Sequence, residues 1–319
     1  QTCALPICST KLSAVTEQAA PFIGMLEVMF AKPYDQITEQ DIGRIKGIYV
    51  NRFWSNLYYA LDDSNLKIDD LTPNSVISDV ILSKWKKIEY TSVAGLEDFL
   101  KANPGVFSQF SNLEFMAFTN IPTREFALSG LPNLWYLDIS ETGIDLSGLA
   151  DLKGLQYLKA TSNQLSDLQP LAGLSELRSL YLYSNNIIDI TALRGLANLQ
   201  VLSLSHNYIS DISALQDLQN LVDLSLIKNN ISDISALKNL SNLRILNLSD
   251  NRISTIDALA AMPNLETLYL ADNYIRYPTA VASFPVTLST LDLSHNTITD
   301  LDTLGRMAEN TSRLITEEH

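Results

Sequence analysis

The feature that most constrains this chain is a repeated pattern, L-x-x-L-x-L-x-x-N, which occurs eight times between residues 134 and 296. The first leucines of successive copies are 21, then five times 22, and finally 23 residues apart. These leucines are Leu134, Leu155, Leu177, Leu199, Leu221, Leu243, Leu265 and Leu288. The last position of the pattern holds Thr142 and then Asn163, Asn185, Asn207, Asn229, Asn251, Asn273 and Asn296. A fixed period of this length predicts one small structural unit stacked many times.

Each column of the pattern has a physical reading. Leucines that alternate with other residues predict a short strand with one apolar face, which is buried only when copies stack into a parallel sheet. The asparagine amide both donates and accepts, so it is expected to pair buried backbone groups where the chain leaves the strand. A degenerate copy on Leu113, Met116, Phe118 and Ile121 precedes the eight. The predicted fold class is an α/β solenoid, with a curved parallel β-sheet on the concave face and short turns or 3-10 segments on the convex face.

The repeat, closed in several copies by N-x-I-S-D-I, resembles the internalin-type bacterial leucine-rich repeats. Residues 26–48 are similar to the α-helical cap that precedes the repeats in that family, and the turn that opens at Thr38 carries the similarity. The resemblance covers residues 22–50 and 112–304. It implies a secreted or surface-attached bacterial module for recognition or adhesion, without an immunoglobulin-like domain or a wall-sorting motif in this sequence.

Five segments are predicted along the chain. Residues 1–7 match the translation of a common sequencing adapter, so residues 1–8 are interpreted as a sequence artefact. Residues 9–50 form the amino-terminal flank and helical cap, and residues 51–111 an irregular insertion or divergent repeats. Residues 112–304 are the leucine-rich repeats. Residues 305–319 form a carboxy-terminal flank, either a frayed end cap or a point of truncation.

Charge and motifs exclude several functions. The formal net charge of −14 argues against nucleic acid and anionic membrane surfaces, since both attract basic proteins. No apolar run reaches the ~20 residues of a membrane helix, so no membrane insertion is predicted. No catalytic motif is present, and no cysteine follows Cys8. The sequence therefore predicts no enzyme activity, no catalytic residues, no cofactor and no bound metal.

Aromatic residues in the first copies suggest where a partner binds. Tyrosine and tryptophan are frequent in binding hot spots because they bury much area at low entropic cost. The alternative is that the tyrosines only stack between strands and stabilise the sheet. The predicted anchors are Trp135, Tyr136, Tyr157, Tyr181 and Tyr183, with Asp138, Lys159 and Asp223 as nearby charges and Tyr269 as a later aromatic.

The predicted partner is a protein, with a glycan as an alternative, and the predicted state is a monomer located outside the cell or on the bacterial surface. Two other functions stay open at this stage. One is an intracellular scaffold, and the other is the targeting arm of a larger secreted enzyme.

A second column of acidic residues recurs once per copy, at Asp167, Asp189, Asp211 and Asp233. The favoured interpretation is that each aspartate caps a turn on the convex side by accepting a backbone N–H bond. The alternative is a ladder of calcium ligands.

Overall fold

The computed structural model describes residues 25–27, 29–33, 36–51, 56–61, 86–89, 107, 110–121, 128, 130–260, 262–299 and 313–315. The predicted adapter segment lies outside these residues. The chain divides into two compact units, an amino-terminal unit of residues 1–163 and a carboxy-terminal unit of residues 164–319.

The amino-terminal unit contains a mixed sheet with the strand order β6-β5-β4-β1-β2-β3. Strands β4, β5 and β6 are parallel neighbours, and β1 also pairs with β4 in parallel. Strands β2 and β3 extend the sheet by antiparallel pairing. The degenerate copy is thus a true repeat, since its strand β4 pairs with β5 of the first regular copy. The strands are β1 Ile45–Asn51, β2 Asn56–Leu61, β3 Lys86–Glu89, β4 Phe115–Thr119, β5 Tyr136–Asp138 and β6 Tyr157–Lys159.

Helical residues precede the first strand. Residues 25–27 and 29–30 are helical, and the short helix α1 spans Glu39–Ile42. The Thr38 hydroxyl accepts a bond of 3.2 Å from the Asp41 amide, and the Asp41 carboxylate accepts one of 3.0 Å from the Thr38 amide. Thr38 therefore caps α1, at the turn that carries the family similarity in the sequence.

The carboxy-terminal unit is a stack of parallel strands with the order β13-β12-β11-β10-β9-β8-β7. From β7 to β12 the chain returns between successive strands through short 3-10 helices, as predicted for these segments. The strands are β7 Ser179–Tyr181, β8 Val201–Ser203, β9 Asp223–Ser225, β10 Ile245–Asn247, β11 Thr267–Tyr269, β12 Thr290–Asp292 and β13 Arg313–Ile315. The 3-10 helices of the two units span Ser147–Leu149, Gln169–Leu171, Thr191–Leu193, Ser213–Leu215, Ser235–Leu237, Asp257–Leu259 and Thr279–Ser283.

The leucine columns form the core. In the copy that contains β9, the three motif leucines are fully buried, and so are the apolar residues of the following return segment. The aligned residues are Leu221, Leu224, Leu226, Ile231, Ile234, Leu237 and Leu240. The leucine-rich-repeat fold predicted from the period is therefore confirmed.

The asparagine column forms a buried ladder of amides. The side-chain carbonyl oxygen of Asn229 accepts a hydrogen bond of 3.0 Å from the backbone amide of Ile209 in the preceding copy. Its NH₂ group donates to the carbonyl oxygens of Leu204, at 3.0 Å, and Leu226, at 3.1 Å. Asn207, Asn251 and Asn273 repeat this arrangement, which confirms the prediction that one side chain satisfies several buried backbone groups.

A second asparagine column was missed in the sequence. It lies directly before the first leucine of most copies, and each amide donates to a backbone carbonyl of the preceding copy. Asn220 donates to Ala197 at 2.8 Å, and Asn242 donates to Gln219 at 2.8 Å. The recurring Asn-Leu pair was the available signal.

The acidic column caps the return turns. The carboxylates of Asp167, Asp189, Asp211 and Asp233 each accept a backbone N–H bond of 2.8 Å from the residue two positions later. These bonds confirm the capping interpretation. They also lower the pKa of Asp189, Asp211 and Asp233, because hydrogen bonds to the charged form favour it.

A pH dependence of stability follows. A folded-state pKa below the unfolded value of about 3.9 means that the stabilisation is present above that pH. It is lost as the pH falls through the folded pKa. We expect the triple variant Asp189→Asn, Asp211→Asn, Asp233→Asn to lose less stability than the wild type when urea midpoints are compared between neutral pH and the acidic range below about pH 4. Parallel pH profiles of the two proteins would contradict the capping role of the charged carboxylates.

Candidate partner-binding face

The open face of each sheet consists of the side chains that flank the central leucine of every strand, on the side away from the leucine core. In the carboxy-terminal unit these side chains align in two rows across the register. One row contains Ser179, Val201, Asp223, Ile245, Thr267 and Thr290, and the other contains Tyr181, Ser203, Ser225, Asn247, Tyr269 and Asp292.

Two tyrosines enclose a polar stretch of the second row. Tyr181 and Tyr269 are half-buried and lie four strands apart, or ~19 Å at 4.7–4.9 Å per strand. The three residues between them, Ser203, Ser225 and Asn247, are small and polar. The hydroxyls of Ser225 and the neighbouring Ser205 form a hydrogen bond of 2.8 Å. A shallow region with aromatic walls results.

Asp223 lies at the centre of this region, between Val201 and Ile245 in the first row. The carboxylate is half-buried, and within the part of the chain that the structure describes it has no ion pair or side-chain hydrogen bond. Burial raises the pKa of Asp223, because desolvation disfavours the charge. Burial, with the nearby Asp223 charge, also raises the pKa of the Tyr181 phenol to about 12.

The open face of the amino-terminal unit is occupied by an aromatic stack. The rings of Phe115 and Tyr136 lie parallel with centroids 4.0 Å apart, and those of Tyr136 and Tyr157 lie 4.3 Å apart. Trp135 meets the ring of Tyr136 edge-on at 5.9 Å. Tyr136 is only 1% exposed, so its ring packs within the unit. Burial, with smaller contributions from neighbouring Tyr157 and Asp138, raises the pKa of the Tyr136 phenol far above its usual range.

Asp138 is also held internally. Its carboxylate accepts bonds from the Ser140 amide at 3.0 Å and the Ser140 hydroxyl at 2.6 Å, and it lies 3.6 Å from the Lys159 ammonium. Burial raises the pKa of Asp138, while Lys159 and Ser140 oppose that shift. Asp138 therefore differs from Asp223, whose carboxylate has no such partners among the described residues.

The predicted binding residues thus fall into two groups. Trp135, Tyr136, Asp138, Tyr157 and Lys159 lie together in the amino-terminal unit, where their side chains pack with one another. Tyr181, Asp223 and Tyr269 lie on the open face of the carboxy-terminal unit, and Tyr183, 41% exposed, follows the end of β7. The binding role of both groups stays a prediction.

A groove runs beside the open face, at the carboxyl ends of β8 to β11. Its volume is about 460 Å³, and its lining includes His206, Tyr208, Lys228, Asn230, Asp250, Arg252 and Tyr274. These residues flank the buried asparagines, at the motif position before each asparagine and at the position after it. The sequence pattern did not predict this groove.

The backbone explains how the groove residues are presented. The position before each buried asparagine has a left-handed backbone although none of its residues is glycine, with φ of 55° at His206, 55° at Lys228 and 57° at Asp250. The amide of each residue donates to a carbonyl of the next copy, such as His206 to Ile227 at 2.7 Å. These bonds hold a conformation that is uncommon for residues with a Cβ atom.

Among the described residues, no three histidine, cysteine, aspartate or glutamate side chains gather in a group that could hold a metal ion. No helix in the described ranges is long and apolar enough to cross a membrane.

Comparison with known families gives direct matches to the repeats. The family model for leucine-rich repeats in two copies matches residues 153–195, 197–239 and 241–280. A single leucine-rich-repeat model matches residues 285–301. No curated protein matches the chain significantly.

Solved structures resemble the chain in fold. Internalin C2 from Listeria monocytogenes is 31% identical over 55% of this chain and 76% of its own, with a TM-score of 0.52. An internalin, InlF, from the same organism is 22% identical over 99% of this chain and 98% of its own, with a TM-score of 0.51. The ectodomain of the Arabidopsis thaliana receptor kinase GASSHO1/SCHENGEN3, solved in complex with CASPARIAN STRIP INTEGRITY FACTOR 2, is 26% identical over 67% of this chain and 28% of its own, with a TM-score of 0.57.

Proposed function

Because this chain belongs to the leucine-rich-repeat family and is internalin-like, we propose that it is a protein-recognition module of a secreted or surface-exposed bacterial protein. The open face of the carboxy-terminal unit is the proposed contact surface. Its side chains vary from copy to copy, whereas the leucines and asparagines that build the fold recur.

The observation that carries the proposal is the Asp223 carboxylate, which has no ion pair or side-chain hydrogen bond among the described residues. A half-buried charge without a partner costs free energy in the unbound protein, and a cation from a partner would offset that cost. Ile245, half-buried beside Asp223, offers apolar surface to the aliphatic part of a lysine or arginine side chain. Tyr181 and Tyr269, each two strands from Asp223, would add buried area around that basic side chain. The proposed partner therefore presents a basic side chain at the centre of its contact surface.

The test is a binding screen of the full chain against recombinant extracellular domains of proteins, followed by titration of the binders with variants. We expect Asp223→Asn to lower the affinity for a true partner by about tenfold or more, equivalent to about 1.4 kcal/mol of binding free energy. Because the substitution removes an unpaired charge, the urea midpoint should not fall.

Asp217→Asn is the matched control, since Asp217 is an exposed carboxylate in the turn ahead of β9. We expect it to leave the affinity within about twofold. Binders that tolerate Asp223→Asn as well as Asp217→Asn, or a screen without binders, would contradict the proposed face.

A further inference from the structure

We propose that the groove at the carboxyl ends of β8 to β11 is a separate binding site for a neutral oligosaccharide. The inference goes beyond recognition through the open face, because the groove residues lie outside the two rows of that face.

The walls of the groove are exposed aromatic rings. Tyr208 is 57% exposed and Tyr274 is 61% exposed, and both line the groove. The two residues lie three copies apart, or ~14 Å at 4.7–4.9 Å per strand. The C–H face of a pyranose ring packs on the π-face of an aromatic ring, which is electron-rich. Walls at this separation suit a chain of several sugars rather than one.

The lining between the walls offers both donors and acceptors. Arg252 donates to the Asn230 carbonyl oxygen at 2.9 Å, which fixes the guanidinium and leaves further N–H donors. The NH₂ group of Asn230 and the Lys228 ammonium add donors, and the Asp250 carboxylate supplies an acceptor. Sugar hydroxyls donate and accept at the same time, so they match such a mixed lining.

Charge and depth favour a neutral sugar over the alternatives. The lining combines the cations Lys228 and Arg252 with the Asp250 carboxylate. The hydroxyls of a neutral sugar bond to both kinds of group, whereas an anion would pair only with the cations. The buried asparagine ladder forms the base of the groove. Within the described ranges, the tyrosines are the only apolar residues that line it, so a peptide finds no pocket for a large apolar anchor. The volume of about 460 Å³ lies in the usual range of ligand sites, ~300–1,000 Å³.

The experiment is calorimetric titration of the full chain with cellotetraose, chitotetraose, maltotetraose, mannotetraose and xylotetraose, each at millimolar concentration. We expect at least one tetrasaccharide to bind, and its monosaccharide to bind at least about tenfold more weakly. Tyr208→Ala and Tyr274→Ala should each weaken that binding by about tenfold.

Tyr277→Ala is the matched control, because Tyr277 is 58% exposed and does not line the groove. It should change the affinity by less than about twofold. The site assignment is overturned if no tetrasaccharide binds, if the three tyrosine variants behave alike, or if only a peptide competes for the groove.

Discussion

Leu224→Ala is expected to destabilise the protein by about 2–5 kcal/mol, through lost burial and the cavity left between neighbouring copies. Leu224 is the central leucine of β9, is fully buried, and pairs in register with Leu202 and Leu246 on the strands beside it. The tightly stacked ladder cannot collapse around the missing atoms without shifting both neighbouring strands. Urea unfolding followed by circular dichroism measures the loss.

Ile188→Ala provides the comparison, because Ile188 is 65% exposed. An exposed aliphatic side chain contributes little, so the change should stay within about 0.5 kcal/mol. Similar losses for the two variants would mean that the leucine ladder is not the main source of stability.

Asn229→Ala is expected to cost about 1–3 kcal/mol, because the buried amide of Ile209 is left without its acceptor. The carbonyl oxygens of Leu204 and Leu226 each lose one donated bond but keep those from Asn207 and Asn251. The same urea titration reports the effect.

Two companion variants sharpen this result. Asn186→Ala removes an exposed asparagine from the position after the ladder and should change stability by less than about 0.5 kcal/mol. Asn229→Asp keeps an acceptor but loses both donated bonds and buries a charge, so its destabilisation should ease as the carboxyl is protonated at low pH. A tolerant Asn229→Ala variant would refute the ladder as a source of stability.

Much of the fold was predictable because every copy of the repeat has the same leucine and asparagine positions, which must be buried in the same way. The period fixed the parallel register, so Leu202, Leu224 and Leu246 align as expected. The buried asparagines were predictable from chemistry, since a side-chain amide can both donate and accept hydrogen bonds at a strand end. The antiparallel strands β2 and β3 were not predicted, because residues 51–111 lack the period that made the other strands recognisable.

The candidate site was harder to predict, because the repeat pattern shows on which face of the sheet a side chain lies but not which side chains contact it there. Tyr136 belongs to the open face by alternation, yet Phe115 and Tyr157 enclose its ring. Asp138 and Asp223 each lie on the open face of their own unit, two residues before a serine, but only Ser140 donates hydrogen bonds to its aspartate. The groove escaped notice because its side chains depend on a left-handed backbone at His206, Lys228 and Asp250, which no glycine signals.

The separation between a recurring scaffold and a variable recognition surface is tested most directly by one triple variant, Tyr181→Ala, Asp223→Asn, Tyr269→Ala. The measurement pairs its affinity for a partner from the extracellular screen with its urea midpoint. We predict that affinity falls by at least about a hundredfold, or about 2.7 kcal/mol, because all three side chains lie on the open face. The midpoint should fall much less than in Leu224→Ala, because the three substitutions leave the leucine and asparagine ladders intact. A folded triple variant that binds the partner as tightly as the wild type would contradict recognition through the open face.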